Sequence, residues 1–263
     1  MKITALVENK SESACEAVHG LSLYIEMPGH RLLFDLGPDD TLFKNSETLG
    51  IDLVGVDTVV ISHGHSDHGG ALEKFLSVNT TARVYVQRSA FDKYYAKSNF
   101  KKREIGLNAQ LKTHPQIVLL DGDYSISDEL KLITTPDISK YRSTANNVLF
   151  NSAGRDDFRH EHSLIILGSA NVLIIGCGHT GVVNILDKAA GYDPHVCVGG
   201  YHLWNPTKKK TVSEKLLRGI SEELSKRDVR FYTCHCTGQE AYDYMHERVP
   251  DIRYLHCGET IEL

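Results

Sequence analysis

The segment 63–68 restricts the fold of this chain more than any other feature of its sequence. It reads HGHSDH, so it holds four metal-ligand side chains within six residues. It directly follows residues 56–62, whose sequence VDTVVIS predicts a buried strand. Alternate residues of an extended stretch lie on the same side, so His63 and His65 can bind one metal ion, and the turn after them directs the aspartate and the third histidine towards a second position. The segment therefore predicts a metal centre at the end of a strand; the alternative is a polar loop that merely contains histidines.

Composition places the chain among ordinary globular proteins. Its 263 residues are 41% hydrophobic and 24% charged, and no apolar run approaches the roughly 20 residues that a membrane span requires. The net charge of −5 argues against extensive nucleic-acid binding, and the six cysteines lack the dense spacing of a disulfide framework. Glu8 interrupts the apolar stretch near the N-terminus, so no secretory signal is predicted. We expect a cytoplasmic protein without membrane or nucleic-acid partners, and we leave its oligomeric state open.

The order of the predicted elements indicates the fold class. Short apolar runs and helical periodicity alternate in two comparable sets, which predicts an α/β fold with two sheets and helices outside them. The first set includes strands near 2–8 and 21–27, and the second includes a hairpin formed by 164–167 and 172–175. No linker divides the chain, so residues 1–263 are expected to form a single domain.

Residues 88–112 differ from the rest in charge. They contain seven basic and two acidic residues, with Phe91, Tyr94, Tyr95 and Phe100 interleaved. Two interpretations stay open. The segment is either a solvated helical excursion or a basic, aromatic cap over an active site that receives an anionic small-molecule substrate.

The hexapeptide at 63–68 resembles the His-x-His-x-Asp-His motif of the metallo-β-lactamase superfamily. Asp35, in the sequence FDLG, matches the short aspartate-glycine motif that precedes the metal loop in that family, where the aspartate orients the loop and does not bind metal. The resemblance implies a four-layer αββα metallo-β-lactamase sandwich.

The resemblance further implies that the second half of the chain supplies metal ligands. His179 stands in GCGHTG and His235 in CHCTG, each after a predicted strand. The predicted metal ligands are His63, His65, Asp67, His68, His179 and His235. One or two divalent ions are expected, and zinc is favoured over iron, manganese and magnesium.

One departure from the family concerns the aspartate that bridges two metals in other members. Here Cys177 occupies the comparable strand end. Either this cysteine or a solvent molecule takes that role, or only one metal position is filled tightly. Asp67 is expected to act in catalysis as proton acceptor as well as ligand. His202 is expected to donate a proton or hold a phosphate, with a supporting hydrogen bond as the alternative.

A closer resemblance covers nearly the whole chain and includes the stretches HGLS at 19–22 and GGYHL at 199–203. It points to the subfamily named for the 7,8-dihydropterin-6-methyl-4-(β-ribofuranosyl)aminobenzene-5′-phosphate synthase of methanopterin biosynthesis. Our first functional hypothesis is a metal-dependent hydrolase or transferase that acts on a phosphorylated small molecule, a phosphate ester or phosphodiester, through a metal-activated water. The alternatives are a synthase of that subfamily type, which forms a carbon–carbon bond, and a catalytically silent, metal-dependent ligand-binding protein.

Several weaker patterns carry their own expectations. Residues 176–181 fit the Gly-x-Gly-x-x-Gly loop of dinucleotide-binding proteins, but no suitable acidic residue follows at the end of the next strand. The sequence TGQE at 237–240 predicts a capping box. Cys234 and Cys236 are expected to point away from the metal and pack. The lysine run 208–210 is expected to be a solvated loop, with phosphate steering as the alternative.

Overall fold

A computed structural model describes residues 1–98 and 101–263 of the chain. It contains two compact units that are interleaved in sequence. The first unit comprises Met1–Lys93, Ile105–Asp121 and Leu255–Leu263, and the second comprises Tyr94–Glu104 and Gly122–Tyr254. Each unit is built on its own sheet, as the two sets of predicted elements indicated.

The strands are, in chain order, β1 (Lys2–Val7), β2 (Ser22–Met27), β3 (His30–Phe34), β4 (Thr58–Ile61), β5 (Arg83–Gln87), β6 (Tyr94–Lys97), β7 (Lys102–Glu104), β8 (Ile117–Leu120), β9 (Tyr124–Ser125), β10 (Leu130–Ile133), β11 (Leu149–Asn151), β12 (Ser163–Ile166), β13 (Val172–Ile175), β14 (Val196–Gly199), β15 (Trp204–Asn205), β16 (Lys210–Thr211), β17 (Arg230–Thr233), β18 (Ile252–Tyr254) and β19 (Thr260–Glu262). The α-helices are α1 (Thr41–Thr48), α2 (Ser66–Gly69), α3 (Leu72–Val78), α4 (Val182–Ala189), α5 (Glu214–Leu224) and α6 (Gln239–His246). Short 3-10 turns occupy Arg88–Phe91, Ala109–Thr113, Thr144–Val148, Ala190–Tyr192 and His235–Thr237.

The sheet of the first unit has the strand order β19-β1-β2-β3-β4-β5-β8 among the described residues. The parallel strands are β3, β4, β5 and β8. The remaining neighbours, β19 with β1, β1 with β2 and β2 with β3, pair antiparallel. Leu33, Val59 and Val84 of the sheet belong to the same buried cluster as Leu72 and Phe75 of α3. Removal of these apolar side chains from water holds the helix on the sheet.

The sheet of the second unit has the order β18-β17-β14-β13-β12-β10-β9. β12 and β13 pair antiparallel, which confirms the predicted hairpin, and β13, β14, β17 and β18 run parallel. Apolar side chains of α4, α5 and α6 share one buried cluster with this sheet, including Ile185, Leu217 and Met245. Because the carboxyl ends of parallel strands meet at one edge, the segments that follow β13, β14 and β17 lie together there.

The basic segment 88–112 is not a helical excursion. Its described residues form the 3-10 turn Arg88–Phe91, the strands β6 and β7, and the start of a second 3-10 turn. Within the second unit, Lys97 Nζ lies 3.9 Å from the ring centre of Phe150, and Lys102 Nζ lies 3.5 Å from that of Tyr95. Phe100 lies outside the described residues. The cap interpretation of this segment stays a prediction.

The predicted capping box at 237–240 is wrong. α6 begins after Gly238, whose φ of 78° favours glycine, and no side chain caps the helix. The hydroxyl of Thr237 accepts the backbone N–H of Tyr201 at 3.0 Å and lies 2.6 Å from the hydroxyl of Thr233. Tertiary partners have therefore taken the oxygen that the local pattern assigned to the helix end.

No helix within residues 1–98 and 101–263 combines the length and the apolar character that crossing a bilayer requires.

Candidate functional site

His63 and His65 lie directly after β4 in the first unit, and their side chains meet. Nε2 of His63 is 3.0 Å from Nδ1 of His65, and the two rings are 80° apart in orientation. Two imidazole nitrogens bound to one tetrahedral zinc ion at about 2.0–2.1 Å would lie about 3.3 Å apart. The pair therefore has the spacing of two ligands of one ion.

Hydrogen bonds fix which nitrogen of His63 carries the proton. The hydroxyl of Ser62 donates to Oδ2 of Asp35 at 2.7 Å, so in its 2.8 Å contact with Nδ1 of His63 it must accept. Nδ1 of His63 is therefore protonated, and Nε2 carries the lone pair that faces His65. The side chains of Asp35, Ser62, His63 and His65 are buried, so water does not compete for these contacts.

The same carboxylate orients His68. Oδ2 of Asp35 accepts a hydrogen bond from Nδ1 of His68 at 2.7 Å, and Oδ1 accepts the backbone N–H of Ser62 at 2.7 Å. A metal-binding histidine is usually held in this way, with its second nitrogen as the ligand. Asp35 reaches both partners because its backbone lies in the left-handed region, at φ 62°, which aspartate tolerates better than most residues. This geometry matches the loop-orienting role that the family resemblance implies.

Asp67 differs from the three histidines in its contact with solvent. Its side chain is 26% exposed, and its Oδ2 lies 3.8 Å from Nε2 of His68 and 3.4 Å from Nε2 of His19. The 3.8 Å between Asp67 Oδ2 and His68 Nε2 is compatible with two ligands of one ion. The first unit thus brings together the four ligand-type residues of the hexapeptide.

The second unit gathers a second group of candidate ligands where its parallel strands end. Donor atoms of Cys177, His179 and His202 all lie within 4.8 Å of one another, and so do those of Cys177, His235 and Cys236. These residues follow β13, β14 and β17, which are adjacent in the sheet. Cys177 belongs to both groups, so its sulfur is placed to serve as a soft ligand of a zinc-type ion.

Cys236 does not point away from the candidate ligands, contrary to the expectation from its sequence position. Its Sγ accepts the backbone N–H of His202 at 3.2 Å and lies in the group with Cys177 and His235. The expectation assumed a strand-like alternation, but residues His235–Thr237 form a 3-10 turn.

Asn146 and Phe158 orient the ring of His179. Nδ1 of His179 donates to Oδ1 of Asn146 at 2.9 Å, while Nδ2 of Asn146 donates to the carbonyl of His179 at 2.8 Å. The ring of Phe158 stacks on the imidazole with 4.5 Å between centroids and 6° between planes. Nε2 is therefore the nitrogen that His179 offers to a metal.

Glu161 holds the backbone at His179. Its carboxylate accepts the N–H of His179 at 2.7 Å, the N–H of Thr180 at 2.8 Å and the Thr180 hydroxyl at 2.7 Å. Burial raises the pKa of Glu161, whereas the three hydrogen bonds favour its charged form. The two amides are thus engaged within the chain, which argues against a dinucleotide-binding loop at 176–181, because such a loop needs its amides for phosphate.

His202 has a backbone conformation that aims its side chain. Its φ is 47°, and its carbonyl accepts a hydrogen bond from the hydroxyl of Ser143. Its ring lies 4.1 Å from that of His179, centroid to centroid. This contact places His202 beside a predicted ligand, and its role in catalysis or support stays a prediction.

Sequence reasoning did not identify Ser62, Asn146, Phe158 or Glu161 as parts of these clusters. Only Ser62 had a signal, because it immediately precedes His63. Asn146, Phe158 and Glu161 lie 18 to 33 positions before His179 and form no motif with it. Their contacts could therefore be found only in three dimensions.

Comparison with known proteins supports the resemblance to the metallo-β-lactamase superfamily. The sequence profile of the metallo-beta-lactamase superfamily matches residues 16–144, which include Asp35 and the whole hexapeptide. A solved metal-dependent hydrolase of the β-lactamase superfamily superposes with a TM-score of 0.84 at 27% identity, over 100% of this chain and 99% of the other. Residues 16–144 thus resemble the metallo-β-lactamase superfamily in sequence, and the whole chain resembles this hydrolase in fold. The predicted α/β fold class is therefore confirmed, and the fold implies that the protein binds divalent metal.

Two proteins of Methanocaldococcus jannaschii are similar along nearly their full length. The 7,8-dihydropterin-6-methyl-4-(beta-D-ribofuranosyl)-aminobenzene-5'-phosphate synthase is 26% identical over 100% of this chain and 96% of its own. An uncharacterized protein is 26% identical over 98% of this chain and 99% of its own. A solved isothiocyanate hydrolase from Delia radicum gut bacteria shares the fold at 15% identity, with a TM-score of 0.59 over 100% of this chain and 99% of its own. The resemblance to the synthase subfamily is thus confirmed at the level of sequence.

Proposed function

We propose that this protein is a metal-dependent hydrolase of phosphorylated small molecules, and that its metal ligands are His63, His65, Asp67, His68, His179 and His235. The observation that carries the proposal is the hydrogen-bonded group of Asp35, Ser62 and the hexapeptide histidines. It protonates His63 and His68 on Nδ1 and so leaves Nε2 of each ring for a metal.

The donor set fits zinc best among the expected metals. Imidazole nitrogens dominate it, and a buried thiol, Cys177, lies beside two of them. Nitrogen and sulfur donors suit zinc, whereas magnesium prefers oxygen ligands in octahedral geometry. A bound ion of this type supplies Lewis acidity, which lowers the pKa of water to near 7 and polarises a substrate oxygen.

The remaining chemistry falls to side chains of the chain itself. Asp67 is the carboxylate of the hexapeptide, and its partial exposure supports our assignment of it as the acceptor of a proton from water. His202 lies against His179 and carries two ring nitrogens that can hold or deliver a proton to a leaving oxygen.

The test compares His65→Ala with His246→Ala, which removes an exposed histidine of α6. We expect H65A to lose bound metal. Its rate of hydrolysis of chromogenic phosphate monoesters and diesters should fall by more than the roughly 10- to 100-fold that is typical when a residue hydrogen-bonded to a metal ligand is replaced. H246A should match the wild type in both. Elemental analysis and steady-state rates are the readouts, and circular dichroism shows whether H65A is folded. His65→Gln is the milder variant, and wild-type metal and activity in a folded H65A or H65Q would refute the proposal.

A second candidate function is synthesis of a pterin–ribosyl aminobenzene phosphate. It is favoured by the end-to-end similarity to the synthase of Methanocaldococcus jannaschii. Incubation of the metal-loaded protein with the reduced pterin and the ribosyl aminobenzene phosphate precursors should then yield a coupled product detectable by mass spectrometry. Coupling without phosphate release would replace the hydrolase proposal by this one.

A further inference from the structure

A pocket of about 270 Å³ lies within the second unit. One side is the 3-10 turn Thr144–Val148, and the other is the hairpin of β15 and β16 with the start of α5. Buried Ala145, Asn205 and Val212 line it together with residues that reach the surface. None of the predicted metal ligands lines it.

The pocket is positively charged. Lys208 and Lys210 line it, and none of the described residues in its lining is acidic. The hydroxyls of Thr144 and Ser213 add neutral hydrogen-bond donors. Ammonium and hydroxyl donors around one space are the groups that recognise a phosphate.

The walls of the pocket are braced before any ligand binds. Nδ2 of Asn205 donates to the carbonyl of Ala145 at 3.2 Å, and its Oδ1 accepts the backbone N–H of Lys208 at 2.9 Å. This amide ties the hairpin to the 3-10 turn. Because these walls are already ordered, ligand binding costs less conformational entropy than it would in a flexible pocket.

The size of the pocket distinguishes it from a site for a single small ion. A volume of 270 Å³ lies near the lower end of the roughly 300–1,000 Å³ that is typical of small-molecule pockets. That space admits a phosphate together with several atoms esterified to it.

We propose that this pocket binds the phosphate group of a small anionic ligand, either inorganic phosphate or a phosphate monoester. The 3-10 turn that forms one wall also carries Asn146, which orients His179, and it follows Ser143, which bonds to His202. A ligand in the pocket therefore acts on the segment that positions two of the candidate catalytic side chains. The binding itself does not depend on the proposed hydrolase activity.

The single tryptophan of the chain, Trp204, gives a direct readout because it precedes Asn205 in β15. Its fluorescence is titrated with inorganic phosphate, with propylphosphonate and with propanol, using metal-loaded protein and sodium chloride to match ionic strength. Propylphosphonate stands for a phosphate monoester because its P–C bond is not hydrolysed. We expect saturable changes with phosphate and with the phosphonate and none with propanol. Tighter binding of the phosphonate identifies an ester as the occupant, and equal or tighter binding of phosphate identifies the free ion.

The double variant Lys208→Gln/Lys210→Gln tests the location. It should weaken phosphate binding by roughly ten-fold or more, because two charge-assisted contacts are lost. The control Lys209→Gln/Lys215→Gln removes the same charge from residues outside the lining and should stay within about two-fold of the wild type. Absence of saturable binding in the wild type, or equal affinity in the two double variants, overturns the proposal, whereas metal content and hydrolysis report separately on the proposed function.

Discussion

Oδ2 of Asp35 lies 2.7 Å from Nδ1 of His68, and neither side chain is exposed to solvent. The carboxylate comes from the end of β3 and the imidazole from α2, so the contact joins two segments 33 residues apart. The same carboxylate accepts two hydrogen bonds from Ser62. One buried charge therefore sets the orientation of the loop that holds the hexapeptide histidines.

Replacement of this charge by an amide should weaken both metal binding and the stability of the fold. Asp35→Asn places an NH2 group where hydrogen-bond donors already point, so at least one donor loses its acceptor. We expect metal affinity to fall about 10- to 100-fold and the free energy of unfolding to fall by about 1–3 kcal/mol. Metal competition with a chromogenic chelator and urea denaturation measure the two effects. Asp128→Asn, at an exposed position, is the control, and equal metal affinity in both variants would contradict the role of Asp35.

Asn146 should matter for metal binding through its acceptor more than through its donor. Asn146→Ala removes both hydrogen bonds to His179, whereas Asn146→Asp keeps an acceptor for Nδ1 and loses only the donor to the carbonyl. We expect metal affinity to decrease by about 10-fold or more in N146A and by less in N146D. Chelator competition ranks the variants. An N146A protein that binds metal as tightly as N146D would show that orientation of the His179 ring is not controlled by this contact.

The turn after the hexapeptide depends on the close approach of Gly70 to another segment. A Cβ at this position would lie 2.1 Å from the carbonyl oxygen of Pro38, so Gly70→Ala must displace backbone. We expect a loss of about 3 kcal/mol or more of unfolding free energy, together with reduced metal content. Gly168→Ala has open space around the added methyl and should change stability by no more than about 0.5 kcal/mol. Urea denaturation and elemental analysis provide the comparison, and similar behaviour of the two variants would rule out the predicted clash.

Asp187 should contribute a small, pH-dependent part of the stability. Partial burial raises the pKa of its carboxyl, but hydrogen bonds from Arg227 and Lys140 outweigh this and hold the pKa below its usual range. Its contribution is therefore present above the ordinary pKa of about 4 and is lost as the pH falls through the lower folded-state value. Because the side chain is 37% exposed, Asp187→Asn should cost about 1 kcal/mol or less at neutral pH.

The measurement for Asp187 is the unfolding free energy of wild type and D187N between about pH 7 and pH 2. The difference between them should shrink as the solution becomes more acidic than about pH 4. A difference that stays constant or grows in acid would show that the ion pairs with Lys140 and Arg227 are not its source.

The sequence by itself determined the resemblance to the metallo-β-lactamase superfamily, the α/β class and the hexapeptide as the centre of interest. These depend on local order: a buried strand, then ligand side chains at alternating positions, a pattern that one stretch of chain carries alone. Local patterns failed where distant groups compete for the same atoms. The hydroxyl of Thr237 bonds to Thr233 and Tyr201 instead of capping α6, and the amides of His179 and Thr180 go to Glu161 instead of to a phosphate. Only the tertiary structure decided which nitrogen each histidine offers, because Asp35, Ser62 and Asn146 become partners when the sheets form, and buried polar groups must find partners wherever the fold brings them.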